Sequence, residues 1–375
     1  MSRRSASKRG LAVLPGFVSR PSRRPHRVRR SLTAIGVAVA ALAVHAQAQD
    51  PEGARVIAGI EQQVRAIFEK CQQAVVKIEA SDTHGRLSGT GFFIDPNGTL
   101  YTSYSVGGDS QDIIVTFGQA RLPATRMVSD PRSGVAILKV EAETPFLAFG
   151  KSRDLGVASP VMTVGYPLDL PASPSFGMVG GFTIQYLGRY FATTHIRANL
   201  PVQRGQGGAP LLNLHGEVVG ILISSLDQGS GSFALPIEAA EKVRRDFVRF
   251  HEIRRGWLGI EVEGIAQPVE KSTALVKEVL PDSPALKAGI AVGDIILRVG
   301  DHAIANPGDV LDASFFLTAD DATSIVVSRS DQRIEFTIQP TEHPEEGSSL
   351  KRIAPAFTPG PELTLPRLEE DKLKP

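Results

Sequence analysis

Few side chains in this 375-residue chain have types and spacing suited to hydrolysis or group transfer. Ser103 and Ser105 stand two apart in Thr102-Ser103-Tyr104-Ser105-Val106. The glycine-rich run Gly205-Gln206-Gly207-Gly208-Ala209-Pro210 holds no nucleophile, and His195 and His215 flank it in sequence. Acyl transfer needs an activated oxygen or sulfur, a base of near-neutral pKa, and a group that orients the base. Ser224, Ser225, Ser230 and Ser232 read instead as strand and loop polar groups, His195 as a strand side chain, and His215 as part of the Leu214-His215-Gly216 turn. The histidines show no zinc-type spacing with acids or cysteines, which disfavours a metal hydrolase; neither a metal nor another cofactor is expected. Cys71 is the only cysteine, so it has no internal disulfide partner, and it reads as a small buried residue on a helix before AVVKIEA.

The elements that must position these groups follow from periodicity. From Glu52 to about Gln73, Val56, Ile57, Ile60, Val64, Ile67 and Phe68 recur at helical spacing and predict an amphipathic leader helix. Short strands follow: VVKIEA, GTGFFID, TLYTS after a Pro96-Asn97-Gly98 turn, DIIVTF, VAILKV, VMTVGYP, GEVVGILISS and GSFALP. Such a series predicts an antiparallel barrel or sandwich. IEAAEKVRRDFVRFHEIRR then predicts a closing helix and linker before a second unit that opens at Gly256-Trp257-Leu258-Gly259-Ile260.

Charge is uneven. Residues 1–48 carry ten Lys and Arg and no acid, which leaves 31 basic against 40 acidic residues in the remainder and argues against nucleic-acid binding. The basic stretch leads into an apolar run from about Leu32 to Val44 and then Ala46-Gln47-Ala48, the order of an export signal. Arg29-Arg30 also allows a twin-arginine type. The expected organisation is a signal over 1–48, a leader helix over 49–73, a first domain over 74–250, a second over 251–342 and a Pro-rich disordered tail over 343–375. Location is periplasmic or extracellular, with membrane attachment only if the signal stays uncleaved.

Several ordered anchors between residues 74 and 340 resemble the HtrA/Deg family of exported trypsin-like serine proteases with a C-terminal PDZ domain. They are GTGFFIDPNGTLYTS, SDPRSGVAILKV, VASPVMTVGYP, the glycine run at 205–210, GSFALPIEAA and SPALKAGIAVGDIILRVGDHAI. The resemblance implies a mostly β fold: a chymotrypsin-like double antiparallel β-barrel followed by a PDZ domain. It also places the family's catalytic histidine at Ser105, its aspartate at Gly134 and its serine at Gly207, so all three catalytic types are replaced. Gly205, Gln206 and Gly207 would be the remnant of the loop whose backbone amides form an oxyanion hole. Trp257, Leu258, Gly259 and Ile260 resemble the carboxylate loop and first strand of a peptide-binding PDZ groove. The implied function is an exported pseudoprotease acting as chaperone, adaptor or scaffold, with peptides or C-termini of exported or misfolded proteins as partners. The alternatives are an active serine endopeptidase using Ser103 or Ser105, or a regulatory subunit. Assembly is expected as a homotrimer or with active relatives.

Overall fold

The computed structural model describes residues 51–186, 189–226 and 231–344, so the expected signal and nearly all of the expected tail lie outside the described residues. Contacts divide the chain at Glu61. The first unit is represented by the opening half of helix α1 (Pro51–Cys71), and every other element belongs to the second unit, from Gln62. Among the described residues no helix is long and apolar enough to cross a membrane. In the second half of α1, Val64, Ile67, Phe68 and Cys71 recur at i, i+3, i+4 and i+7 and pack into one core. Cys71 is fully buried, and its Sγ lies 3.5 Å from the Gly216 carbonyl. Burial raises the thiol pKa, which leaves it protonated and inert.

Two sheets follow. The first contains β1 (Val75–Asp82), β2 (Gly85–Phe93), β3 (Thr99–Ser103), β4 (Gln111–Phe117), β5 (Ala120–Pro123), β6 (Thr125–Asp130) and β7 (Val135–Lys139), in the order β5-β4-β1-β2-β3-β7-β6. A four-residue helix, α2 (Tyr104–Gly107), leaves the end of β3. The second sheet contains β8 (Pro160–Gly165), β9 (Ser173–Tyr186), β10 (Arg189–Ala198), β11 (Pro210–Leu212), β12 (Val218–Leu226) and β13 (Gly231–Pro236), and closes as a barrel in the order β10-β13-β12-β11-β8-β9.

Side-chain alternation explains how these sheets stack. Successive residues of a strand point to opposite faces. Phe92, Tyr101 and Ile137 therefore enter the layer between the sheets, while their neighbours Phe93, Leu100 and Leu138 fill the first sheet's own core. Val218 and Val219 divide in the same way between that shared layer and the interior of the second barrel. Strands buried on both faces hold their ends rigidly, and the candidate site is assembled from those ends.

Helix α3 (Ile237–Phe250) closes the second barrel and leads into the C-terminal domain. There β14 (Ile260–Val269), β15 (Ser272–Val279), β16 (Ile295–Val299), β17 (His302–Ala303), β18 (Thr323–Arg329) and β19 (Gln332–Ile338) form one sheet ordered β14-β15-β16-β18-β19, with β17 paired to β16. Its helices are α4 (Pro284–Ala288) and α5 (Pro307–Phe315). Both starts are written in the sequence. Ser283 caps α4 by accepting from Leu286 N–H at 3.2 Å, and Asn306 with Asp309 forms a reciprocal capping box at α5. Asp294 is buried and receives Arg329 through two nitrogens at 2.6 and 2.8 Å, which fixes the turn before β16.

The C-terminal domain is tied to the second barrel and to α3. Asp312 on α5 accepts from Thr193 Oγ1 at 2.5 Å and from Thr194 N–H at 2.6 Å on β10. Buried Asp246 on α3 accepts from Lys242, from Arg254 N–H at 3.1 Å and from Thr318 Oγ1 at 3.2 Å. Arg255, in the linker, pairs with buried Asp130 at the end of β6.

Candidate functional site

The loop of residues 203–210 is held by one threonine and two left-handed glycines. Buried Thr90 on β2 donates its N–H to the Gly207 carbonyl at 2.9 Å and its hydroxyl to the Gly205 carbonyl at 2.7 Å, while that hydroxyl accepts from Tyr166 N–H at 3.1 Å. Gly205 has φ +95°, and a Cβ placed on it would lie 2.3 Å from the Tyr166 carbonyl oxygen. Gly208 has φ +86°, and its Cβ would meet the Thr90 carbonyl oxygen at 2.2 Å and Thr102 Oγ1 at 2.3 Å. Only glycine fits both the dihedral and the space.

Gly207 differs from its neighbours. A Cβ placed there lies 3.2 Å from Ser103 Oγ and 3.7 Å from Ser105 Oγ, so a side chain at 207 would face the first turn of α2. Ser103 and Ser105 hydrogen-bond to each other at 2.9 Å, either serving as donor. Tyr104 N–H, between them, donates to the Gly134 carbonyl at 2.6 Å, which brings the third position to the same place. Ser105, Gly134 and Gly207 thus converge from α2, from the loop before β7, and from the loop before β11. Gly134 has φ +81°, and its Cβ would point at Ile223, 3.4 to 3.6 Å away. Gln206 is buried and turns back into its own loop, where its Oε1 accepts from Gln203 N–H at 2.8 Å.

Beside this point lies a cleft of about 380 Å³ lined by Ser105, Gly205, Gly207, Leu222 and Ser225, with Arg86 and Arg204 also on its walls. The arrangement has hydroxyls, backbone amides and cations. Among the described residues that line it there is no histidine. Thr90, Arg86 and Arg204 are the residues that reading the sequence did not single out. Thr90 sits in a GTGFF stretch whose spacing signals only a strand, and a lone arginine in a hairpin or loop carries no pattern.

The two histidines nearest in sequence are elsewhere. His215 is exposed in its turn, its N–H donating to Asn213 Oδ1 at 2.9 Å. His195 is buried on β10 and stacked on Phe191 at 4.2 Å, with Nδ1 2.7 Å from the Thr193 carbonyl; that acceptor fixes the proton on Nδ1 and leaves a buried Nε2 without a partner. Burial pushes its pKa down to about 4, against the weaker opposing pull of the Thr193 carbonyl and Asp312. Between that value and the ordinary 6.5, the unfolded chain binds more protons than the folded one, so stability is complete above pH 6.5 and falls as the pH drops toward 4. The loss should approach about 3 kcal/mol, read as a fall in urea midpoint between pH 7 and 4.5 that a His195→Phe variant lacks.

In the C-terminal domain, Trp257 exchanges hydrogen bonds with Thr341, donating at 2.7 Å and accepting at 3.2 Å. Gly259 has φ +75° and a Cβ there would lie 2.3 Å from Ser283 Cβ, while its carbonyl accepts from Leu280 N–H at 2.9 Å. Leu258 is buried in the domain core; half-buried Ile260 begins β14. β14 has one ladder partner, β15, which leaves its other edge beside α5, where Leu311 is 42% exposed. At the far end Pro307 lies 3.8 Å from a Cβ placed on Gly264.

Comparison with known proteins matches residues 89–221 to a trypsin-like peptidase domain and residues 256–339 to a PDZ domain. A probable periplasmic serine endoprotease, DegP-like, of Pseudomonas fluorescens is 30% identical over 282 residues, covering 71% of this chain and 58% of the relative. One from Ectopseudomonas mendocina is 32% identical over 297 residues, covering 75% and 61%. The chain therefore spans about three-fifths of the length of these curated relatives. Among solved structures, a serine endoprotease from Yersinia pestis matches with TM-score 0.54 at 26% identity, covering 75% of this chain and 98% of that one. The HtrA-type protease AlgW with a tripeptide gives TM-score 0.62 at 21% identity, over 75% and 97%, a likeness of fold.

Proposed function

From the premise that the chain belongs to the HtrA family of trypsin-like peptidases with a PDZ domain, we propose that it is an exported pseudoprotease. It captures peptides or unfolded segments through the PDZ groove and does not cleave them, serving as chaperone, adaptor or scaffold in the periplasm. The observation that carries this reading is the meeting of Ser105, Gly134 and Gly207 at one point with no base among them. A hydroxyl at 105 cannot accept the nucleophile's proton, and nothing at 207 carries one. The PDZ side supports capture: an unpaired strand edge adds an extended peptide, and a glycine loop of successive amides receives its carboxylate.

The same reading extends to assembly as a homotrimer, or with active relatives as a non-cleaving subunit. Relatives are named as endoproteases, which keeps active cleavage by Ser103 or Ser105 as the rival. The two separate in one experiment on the chain from Gln49. Unfolded casein should yield no new fragments by mass spectrometry, while a peptide with a free C-terminus should bind at least about tenfold tighter than its amidated form, the size expected for charge-assisted hydrogen bonds. Fragments abolished by Ser105→Ala would make the chain an enzyme.

A further inference from the structure

We infer that the cleft beside Gly207 is itself a ligand site, taking an extended peptide segment that bears a carboxylate side chain. The inference rests on the reading that the cleft no longer cleaves, so that a bound segment remains whole.

The charge of the cleft is opposite to that of the chain around it. Beyond residue 48 the sequence has 31 basic against 40 acidic residues, yet two arginines, Arg86 and Arg204, line the cleft, and among the described lining residues there is no Asp or Glu. Both arginines are exposed. Arg249, Arg254, Arg298, Arg329 and Arg333 are committed to ion pairs, whereas among the described residues Arg86 and Arg204 have no ion-pair partner. They can therefore turn to a ligand without breaking a native contact. The acid that acts on Arg204 is Asp169, and it is already occupied: Ser88 Oγ donates to it at 2.5 Å and Lys77 Nζ stands 3.3 Å away.

The backbone points to a peptide rather than a small anion. Up to Ile221, β12 pairs with β11 on one side and β13 on the other. Beyond it, Ser224 and Ser225 pair only toward β13, at Phe233 and Ser232. The opposite edge opens on the cleft that both serines line. An extended segment can hydrogen-bond to that edge, lay an apolar side chain on Val106 and Leu222, and present its acid to the guanidinium groups, which suit carboxylates by their planar fork of donors.

The test uses the chain from Gln49 and fluorescence anisotropy with a dye-labelled peptide capped at both ends, so that no terminal carboxylate is offered to the PDZ groove. Three versions carry Glu, Gln or Lys at one central position. The Glu peptide should bind roughly tenfold tighter than the Gln peptide at low salt, and tighter still than the Lys peptide. Arg86→Gln/Arg204→Gln should erase the difference, and Leu311→Ser, in the PDZ groove, should leave it intact. Equal affinity for Glu and Gln, no binding by the Glu peptide, or binding indifferent to the arginine substitutions would each overturn the inference. Fragmentation of the peptide, followed in the same samples by mass spectrometry, would overturn the reading of lost cleavage instead, and occupancy of the cleft would still be decided by the arginine variants.

Discussion

Replacing Ser105 by His and Gly207 by Ser should raise the cleavage of unfolded casein roughly 10²-fold above the parent's background. The expectation comes from geometry and from what a partial triad is worth. A Cβ at 207 already lies 3.7 Å from Ser105 Oγ, so a hydroxyl there and an imidazole at 105 fall within hydrogen-bond reach. In a serine protease, losing the whole triad costs about 2 × 10⁶ in kcat and losing the aspartate alone about 3 × 10⁴; the serine and histidine together therefore recover roughly 10². Adding Gly134→Asp should contribute little further. Position 134 holds φ +81°, a conformation an aspartate adopts only under strain, and its Cβ points at Ile223. Initial rates of the parent, double and triple variants decide the matter. A double variant that is folded by circular dichroism and still silent would mean that the loop amides are not aimed at a scissile carbonyl.

The largest stability effect should come from Gly208→Ala. The new methyl would stand 2.2 Å from the Thr90 carbonyl oxygen, 2.3 Å from Thr102 Oγ1 and 2.6 Å from Ser103 N, none of them the free end of a flexible side chain. Strain at positive φ adds about 1 kcal/mol or more, and overpacking against fixed atoms about 1–3 kcal/mol. The expected loss is about 2–4 kcal/mol, seen as a lowered midpoint in urea. Gly207→Ala is the matched control: its Cβ meets only side-chain atoms, at 3.2 Å or more, and φ there is not left-handed, so it should cost less than about 1 kcal/mol. Equal losses in the two variants would refute the idea that steric demand, not chemistry, preserves this loop.

That contrast also explains what could be read from the sequence. Strands such as VVKIEA and TLYTS were legible because strands filling two cores at once show as unbroken apolar runs or clean alternations. The longest pair, β9 and β10, was less so: Gly177, Gly180 and Gly181 interrupt the first, and of the second only His195 was read as a strand side chain. The glycine run and the segment before β7 stand out in the sequence because Gly205, Gly208 and Asp130 are held there by backbone geometry and by the ion pair with Arg255. Leu258, in the stretch that resembles the carboxylate loop, fills the domain core beside the left-handed Gly259. Arg86 and Arg204 were silent because their meaning is collective: neither signals anything until folding brings a hairpin and a loop to one cleft.

The open edge of β14 has a cost in a crowded compartment. An unpaired ladder invites any extended chain, including a second copy of the same domain, and edges of this kind seed aggregates. Here the exposed edge strand carries Glu261, paired with Lys277 Nζ at 2.9 Å, and Glu263, whose charge two copies laid edge to edge would bring together. The domain is thus guarded against self-templating by the strand it keeps available to others, and neutralising those two acids would trade solubility for adhesion.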